Sequence, residues 1–594
     1  MADALRRRGL TGSIKVLVLF VVLAAGWTFP AWAHVPPRLV EGPGVSDAPE
    51  QAWLLTWVPF SLSHGWSPFI TRAFDYPTGA NLLWPGAPLV LALLIWPITA
   101  ILGPISAYDA AMVIAIATAA FSGYLCCRRW VQRRAAAVGG GVIFGFSPFV
   151  TGQTSGHLVY VAVAMVPLMV LGLDDLLVRT RWSARRAGAL LGLLALVQLV
   201  TAEEILAGAA LTAAVGGAVL ALMHPRAART RIIRAVEGLG WAGAIVVLGG
   251  AYPIWFQFAG PAAIHGHLLT GSSFSANLAE LVVPGYQQAV TTPATAAFVA
   301  ALQGHSGEVG AYLGLPMMAL LVALWRSRPA GPSRFVCVMA AVTAVLTLGP
   351  VLRLGPLDTH IPLPEAILAH TPGLEALLPV RLSVDLDLFA ALAFALYLDP
   401  LSRRAIDRWP RVLVLLTAAC WLPTLTAPSL AAPLPRFFTS SQSSAWGVLL
   451  VLPVAENANS DLPMLWQAAS DMRFAMPEGY YHVPRMGGGS IFGPAFTPFT
   501  AALTNIFLGD TPPVIIPTLR RDGRAYLRTH HVTAVVAGPE PHRRRAVEFV
   551  SAVLMQAPVT SGGVEIWRLG GRRGPGRAAA VQSAVWHSSV ARIK

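Results

Sequence analysis

Lysine is all but missing from this chain: Lys15 and Lys594 are the only two in 594 residues. Charge of either sign is scarce, at 12% of residues, against about 25% in an ordinary soluble domain. That poverty excludes a purely water-solvated protein of this length. The four cysteines, Cys126, Cys127, Cys337 and Cys420, lie in or at the ends of apolar runs with no ligand spacing. They imply neither a disulfide framework nor a cysteine metal site. No internal repeat is visible, which removes the usual signature of an inverted-repeat transporter. Nor are there strand-length segments of alternating polarity, about ten residues each, so a membrane β-barrel is not expected.

What the chain has instead is apolar sequence, 55% of its residues. Many runs approach the ~20 residues an α-helix needs to cross a bilayer core. Lipid offers the backbone no hydrogen-bond partner, so such runs must be helical. The formal net charge of +14 would suggest nucleic acid in a soluble protein. Here the arginines cluster between apolar runs, where the positive-inside rule accounts for them, and no nucleic-acid partner is expected. The first run, Ile14 to Ala33, follows Arg6, Arg7 and Arg8. Trp27 and Trp32 near its far end read as interface anchors of an uncleaved span rather than a signal peptide.

Further runs fall near 107–127, 136–150, 158–178, 187–202, 205–223, 237–258, 309–326, 335–352, 382–400 and 411–428. Five later arginine clusters, from Arg128-Arg129 to Arg403–Arg411, all become cytoplasmic if the run at 86–103 does not cross. The expectation is a polytopic α-helical membrane protein of about eleven transmembrane helices. Its N-terminus would be cytoplasmic and its C-terminus outside. Residues 1–432 would form the membrane domain, with 34–85 as a long first outer loop. From about 433 the texture changes. Val448–Leu452, Val532–Ala537 and Val564–Trp567 read as strands, and Arg544–Met555 as an amphipathic helix. Residues 433–571 therefore read as a small extracytoplasmic α/β domain, and 572–594 as a disordered tail.

Ionisable groups at the mouth of a span or inside it are the functional candidates in such a protein. Asp47 and Glu50 lie in the first loop, with Trp53 one turn on and Asp75 before Tyr76-Pro77. Asp47 also suits the N-cap of a helix opening at Pro49, and Asp75 suits a turn. Glu203 and Glu204 sit between two apolar runs with no basic neighbour in sequence. His157 follows the segment Phe146-Ser147-Pro148-Phe149 and could bind an anion or carry a proton. Glu308 begins a span, where helix-dipole capping is its plainer role. Arg381 stands at a span mouth with Asp385 one turn deeper. Either the two pair within the helix, or the guanidinium fork holds a phosphate. All these groups fall on one membrane face, a layout suited to a lipid-borne anionic substrate.

In order and spacing, these segments resemble the integral-membrane type-C glycosyltransferases, bacterial branch. Asp47 matches the family's first-loop acid. Tyr76-Pro77-Thr78-Gly79-Ala80-Asn81-Leu82, Phe146-Ser147-Pro148-Phe149 with His157-Leu158, Tyr312-Leu313-Gly314-Leu315-Pro316 and Pro379-Val380-Arg381 are similar to family segments. The resemblance implies a bacterial inner-membrane enzyme that transfers a sugar from a polyprenyl-phosphate donor to an envelope glycan, lipid or protein, with inversion. Asp47 would be the base, and Glu203 or Glu204 would position the acceptor or a divalent metal such as Mg or Mn. Arg381 would bind the lipid phosphate. The chain departs from the pattern in two places. The first-loop motif is Asp-Ala-Pro-Glu, which leaves Asp47 and Glu50 both open as the working acid, and Leu382 stands where many relatives carry an aromatic. A transporter or flippase of lipid-linked saccharides, or a non-catalytic envelope scaffold, are the competing readings.

Overall fold

A computed structural model describes residues 2–569, apart from 35–36, 43–46, 85, 267–273, 303–307, 309, 329–330, 369–370, 372–376, 402–407, 441–446, 456–460 and 486. The expected tail at 572–594, and Arg403 and Arg404 of the last basic cluster, lie outside the described residues.

The apolar runs are helices, but they do not all have the expected length. Among the described residues, six helices are long and apolar enough to cross a membrane: Thr11–Trp32, Leu89–Arg128, Arg134–Gln153, Leu158–Arg179, Glu203–Met223 and Pro225–Ala259. The runs near 187–202, 309–326, 335–352 and 411–428 fold as Ala184–Leu199, Gly314–Ser327, Pro332–Thr347 and Arg408–Trp421, each of 14 to 16 residues. Two of these are cut short by sequence the run-length reading passed over. Gly349-Pro350 follows Thr347, and Pro423 follows Trp421, and proline cannot continue a helix interior. Ser383–Leu401 has the length, but it carries Asp385, Asp387 and Asp399. The run at 86–103 is not a separate hairpin. It is continuous with the next run as Leu89–Cys127, 39 residues broken at Gly103 (φ 80°) before Pro104. At 1.5 Å per residue that is about twice the thickness of a bilayer core, so the break at Gly103 is what lets the segment change direction.

The C-terminal segment carries a four-stranded sheet in the order Val559–Ser561, Val564–Arg568, Ala534–Ala537, Leu449–Leu452. The first two pairings are antiparallel and the last is parallel. The parallel pair needs a long crossover, which helices including Leu462–Ala469, Pro498–Phe507 and Pro517–Thr529 occupy. The three strands other than Val559–Ser561 alternate between two cores. Leu450, Leu452, Val535 and Trp567 pack against Phe499, Phe549 and Val550 of the sheet's own helices. Leu449, Val451, Val536 and Ile566 face the other way, into a core shared with Trp53, Trp57 and Phe74 of the first loop. The period of two thus explains why these strands read as continuous apolar runs: both faces are covered.

That second core fixes the first loop. Its helix, Ala48–Ser63, is buried over nearly its whole length. Trp53 is fully buried, stacks on Trp57 at 5.3 Å and donates to Gln467 Oε1 at 2.6 Å. Gln467 in turn donates to the carbonyls of Ala73 and Phe474. Tyr481 donates to the carbonyl of Leu82. Loop and sheet are therefore one packed unit, and Asp47 stands at its edge.

One buried acid away from this unit gives a stability prediction. Glu280 lies in the short helical turn Leu278–Leu281, and burial pushes its carboxyl from 4.5 up to about 8. A carboxyl raised on folding contributes stability that is complete below its unfolded value and is lost as pH rises through the folded one. Wild-type protein should therefore lose stability between about pH 4.5 and 8. Glu280→Gln should lose less, which unfolding curves in detergent at about pH 4 and about pH 9, either side of that window, would measure.

Candidate active site

Asp47 holds the N-cap position of the first-loop helix, with Pro in the first turn, but its side chain makes no cap hydrogen bond. It turns instead to His157, whose Nε2 lies 2.8 Å from Asp47 Oδ2. Gly156 permits this approach. Its φ is +140°, and a Cβ there would sit 3.2 Å from the Asp47 amide nitrogen. From His157 a polar chain runs through buried side chains. His157 Nδ1 meets Gln153 Oε1 at 2.7 Å, and Gln153 Nε2 reaches Glu308 Oε2 at 3.4 Å. Glu308 Oε1 accepts from Arg381 Nη2 at 2.6 Å and from Nε at 3.2 Å. Arg381 Nη1 pairs with Glu204 Oε2, and its guanidinium lies 3.9 Å from the centre of the Tyr160 ring. Tyr160 also donates to Glu204, and the backbone N–H of Leu378 donates to Glu204 Oε1 at 2.7 Å.

The chain constrains where protons sit. Gln153 donates through Nε2 to a carboxylate, so its Oε1 faces His157 and must accept. His157 Nδ1 therefore carries a hydrogen. The 2.8 Å contact from Nε2 to Asp47 then needs one proton between the two atoms, shared by imidazole and carboxylate. Local structure holds the parts in place. Ser147 caps the short helix Pro148–Gln153 by accepting from Val150 N–H, and Asp387 accepts the N–H of Phe149 at 3.0 Å. That helix delivers Gln153, and its exit delivers His157 four residues on.

Other carboxyls crowd Asp47. Glu50 is pushed well above its ordinary range, first by burial and then by the charges of Asp47 and Asp461. Its own N–H bonds Asp461 at 3.3 Å. Glu41 is raised in the same way, by burial and by Asp461 and Asp47. Both are buried, whereas the Asp47 side chain keeps 17% exposure.

The C-terminal segment closes this end. The Tyr480 hydroxyl is within hydrogen-bonding reach of Asp47 and is kept protonated by burial and by the surrounding carboxylates. His482 sits close enough to feel both Asp47 and Arg381, and burial lowers it to about 4, so it is neutral near pH 7.

The sequence candidates thus separate into groups. Asp47, His157, Glu308, Arg381 and Glu204 belong to one network. Glu203, beside Glu204, accepts from Gln257 Nε2 at 3.1 Å and lines a small cleft with Leu83, Leu199, Val200, Pro253 and Ile254. Trp53 is a docking residue in the seam with the C-terminal sheet. Asp75 is a turn residue at φ 49° whose carbonyl accepts from Gly79. The pairing of Arg381 with Asp385, one of the two readings of that spacing, does not form. Asp385 accepts instead from Thr212 Oγ1 at 2.9 Å, because Arg381 lies in the helical turn before the long helix and points to Glu308 and Glu204. Sequence reasoning missed Tyr160, Glu41, Asp461, Tyr480 and His482. The last three reach the site only through tertiary packing. Among the described residues no three His, Cys, Asp or Glu side chains converge to hold a metal ion.

Comparison with solved structures shows the fold. The chain is similar to the arabinofuranosyltransferase AftD from Mycobacteria, with a TM-score of 0.54 at 16% identity, over 95% of this chain and 40% of that one. It therefore spans about two fifths of the length of that enzyme. Weaker likenesses, below a TM-score of 0.5 and carrying no argument, are to ArnT from Cupriavidus metallidurans (0.44, 9% identity, 94% and 98% covered) and to the oligosaccharyltransferase AglB from Archaeoglobus fulgidus (0.43, 12%, 89% and 69%). No protein-family model matches, and no curated protein sequence matches.

Proposed function

We propose that this chain is a membrane glycosyltransferase that moves a sugar from a polyprenyl-phosphate donor to a cell-envelope glycan, lipid or protein. The observation that carries the reading is the Asp47–His157 pair, wired through Gln153 and Glu308 to Arg381, in a fold shared with a sugar-transferring membrane enzyme. The site faces outward from a bacterial inner membrane, with the N-terminus in the cytoplasm and the C-terminal α/β domain outside, following the arginine distribution.

In this reading Asp47 accepts the proton of the acceptor hydroxyl as that oxygen attacks the anomeric carbon. The bond from the anomeric carbon to the phosphate oxygen breaks on the far side. The lipid phosphate leaves with the electron pair, and the configuration inverts. His157 shares the proton with Asp47, stabilises the carboxylate and sets its orientation. The leaving phosphate exchanges with a carboxylate on Arg381, which then answers its charge. Asp47 is assigned the base over Glu50 because it meets His157 at 2.8 Å, whereas burial and the charges of Asp47 and Asp461 raise the Glu50 carboxyl. Among the described residues no His, Cys, Asp and Glu side chains form a metal cage, and no step is routed through a metal.

The test is sugar transfer by purified protein in nanodiscs, with a panel of radiolabelled polyprenyl-phosphate pentoses and hexoses and crude envelope acceptors. Parallel runs with EDTA and with added Mg²⁺ or Mn²⁺ ask whether a divalent ion is needed. Transfer from one donor class supports the reading. Well-folded protein that turns over no donor would favour transport or scaffolding. His157→Ala should lower turnover by about 10- to 100-fold, less than loss of the base itself, with acceptor KM little changed.

A further inference from the structure

The strand pair His482–Pro484 and Ser490–Phe492 is the one part of the C-terminal segment that reaches the Asp47 end of the network with aromatic side chains, among the described residues. In its register His482 lies directly across from Phe492. Tyr480 lies in the bend just before the strand. The Phe492 ring stacks on Tyr480 at 4.9 Å and 10° and meets the His482 ring at 4.0 Å. His482 is fixed by a contact of its Nδ1 with Ser490 Oγ at 3.1 Å. The turn joining the strands carries Gly487, Gly488 and Gly489, all at positive φ. Gly489 N–H donates to the carbonyl of His265 at 2.6 Å, tying the tip to the loop after the long helix Pro225–Ala259. The hairpin is therefore anchored at its tip, and its aromatic face is carried to the base.

Tyr480 and His482 are spent inside the site, but Phe492 is not. It keeps 39% of its surface exposed, although burying it would be favourable. A furanose or pyranose ring presents a face of C–H bonds, made electropositive by the neighbouring oxygens, which packs against the electron-rich face of an aromatic ring. A sugar packed on Phe492 would lie beside His482, whose imidazole is neutral near pH 7 and can accept or donate. An acyl chain would have no use for that polar group.

We propose that this hairpin is the acceptor subsite, with Phe492 as the platform for a sugar ring, His482 its polar contact and Tyr480 the group that fixes Asp47, so that the acceptor is a glycan. The proposal rests on the glycosyltransferase reading above and deepens it.

The test uses the full chain in nanodiscs, with octyl-linked arabinofuranosyl and mannopyranosyl disaccharides as acceptor probes. Phe492→Ala should raise acceptor KM by about tenfold with kcat within about twofold, and Phe492→Trp should restore it. Donor hydrolysis without acceptor should be the same in all three, which shows that the donor side is intact. An acceptor KM unchanged in Phe492→Ala, or equal use of an acceptor with no sugar ring, overturns the proposal. Saturation-transfer NMR of the same disaccharides, needing no turnover, separates the two levels. Binding by wild type that is lost in Phe492→Ala supports the hairpin even if no donor is consumed, in which case the transferase reading is what fails. No difference in binding between wild type and Phe492→Ala sinks the hairpin alone.

Discussion

Asp47→Asn should cut sugar transfer by about 10²- to 10⁴-fold while leaving the protein folded. The folding half of this expectation follows from geometry. Asp47 makes no side-chain cap to the first-loop helix, so that helix does not depend on its carboxylate. Its position is fixed by the Trp53, Trp57 and Phe74 core shared with the C-terminal sheet. Asparagine has the same shape, and its carbonyl oxygen can accept from His157 Nε2. What it cannot do is take a proton from the acceptor. Glu50→Gln is the matched control. Burial and the charges of Asp47 and Asp461 raise the Glu50 carboxyl, so replacing it with an amide should alter transfer by less than about tenfold. Initial rates in nanodiscs at saturating donor, with monodispersity checked by size exclusion, would measure both. If Asp47→Asn keeps a tenth or more of the wild-type rate, the base lies elsewhere, with Glu203 and Glu204 next to be tested.

The contrast between Asp47 and Glu50 shows where sequence stops being informative. The Asp-Ala-Pro-Glu segment leaves both acids open, because they lie one turn apart in a stretch rich in aromatics and proline. Their difference is made by residues far along the chain: Asp461, 411 positions from Glu50, whose carboxylate meets the Glu50 N–H, and Gln467, 414 positions from Trp53, which it anchors. The C-terminal strands were legible because both faces of the sheet are covered, which leaves uninterrupted apolar runs. Helix positions were legible from the same kind of run, but lengths were not. Run length counts the apolar residues that follow a helix, whereas Pro350 and Pro423 end the helices earlier. Arg381 was visible as a charge at a span mouth, and Asp385 one turn on was its obvious partner. The structure gives it Glu204 and Glu308 instead, which lie 177 and 73 residues away in sequence. Nothing in local spacing encodes such a choice. Tyr480 and His482 are hidden for the same reason.

Arg381 gives the second large effect, and it separates two roles that a single substitution confounds. Its three guanidinium nitrogens all engage carboxylates, Nε and Nη2 with Glu308 and Nη1 with Glu204. With both acids ionised, the trio carries a net negative charge. Side-chain exposure is 10% for Arg381 and 1% for Glu308, so water screens little of it. Arg381→Met leaves two carboxylates facing each other without a counter-charge. Breaking a buried ion pair from one side costs about 3–5 kcal/mol, enough to threaten a fold whose total stability is of order 5–15 kcal/mol. Arg381→Met should therefore aggregate or elute as a broadened species, and loss of its activity would say nothing about chemistry. Replacing all three charges, as Arg381→Met with Glu204→Gln and Glu308→Gln, removes the penalty along with the pair and should restore a monodisperse protein. If Arg381 only holds the two acids in place, this triple variant should recover transfer to within about tenfold of wild type. If the guanidinium also answers the leaving phosphate, the triple variant should be folded yet slower by about 10²-fold or more. Arg381→Lys, which keeps the charge but not the planar fork, should then fall between the two. A folded triple variant with near-wild-type kcat would remove Arg381 from the chemistry and leave it a structural charge.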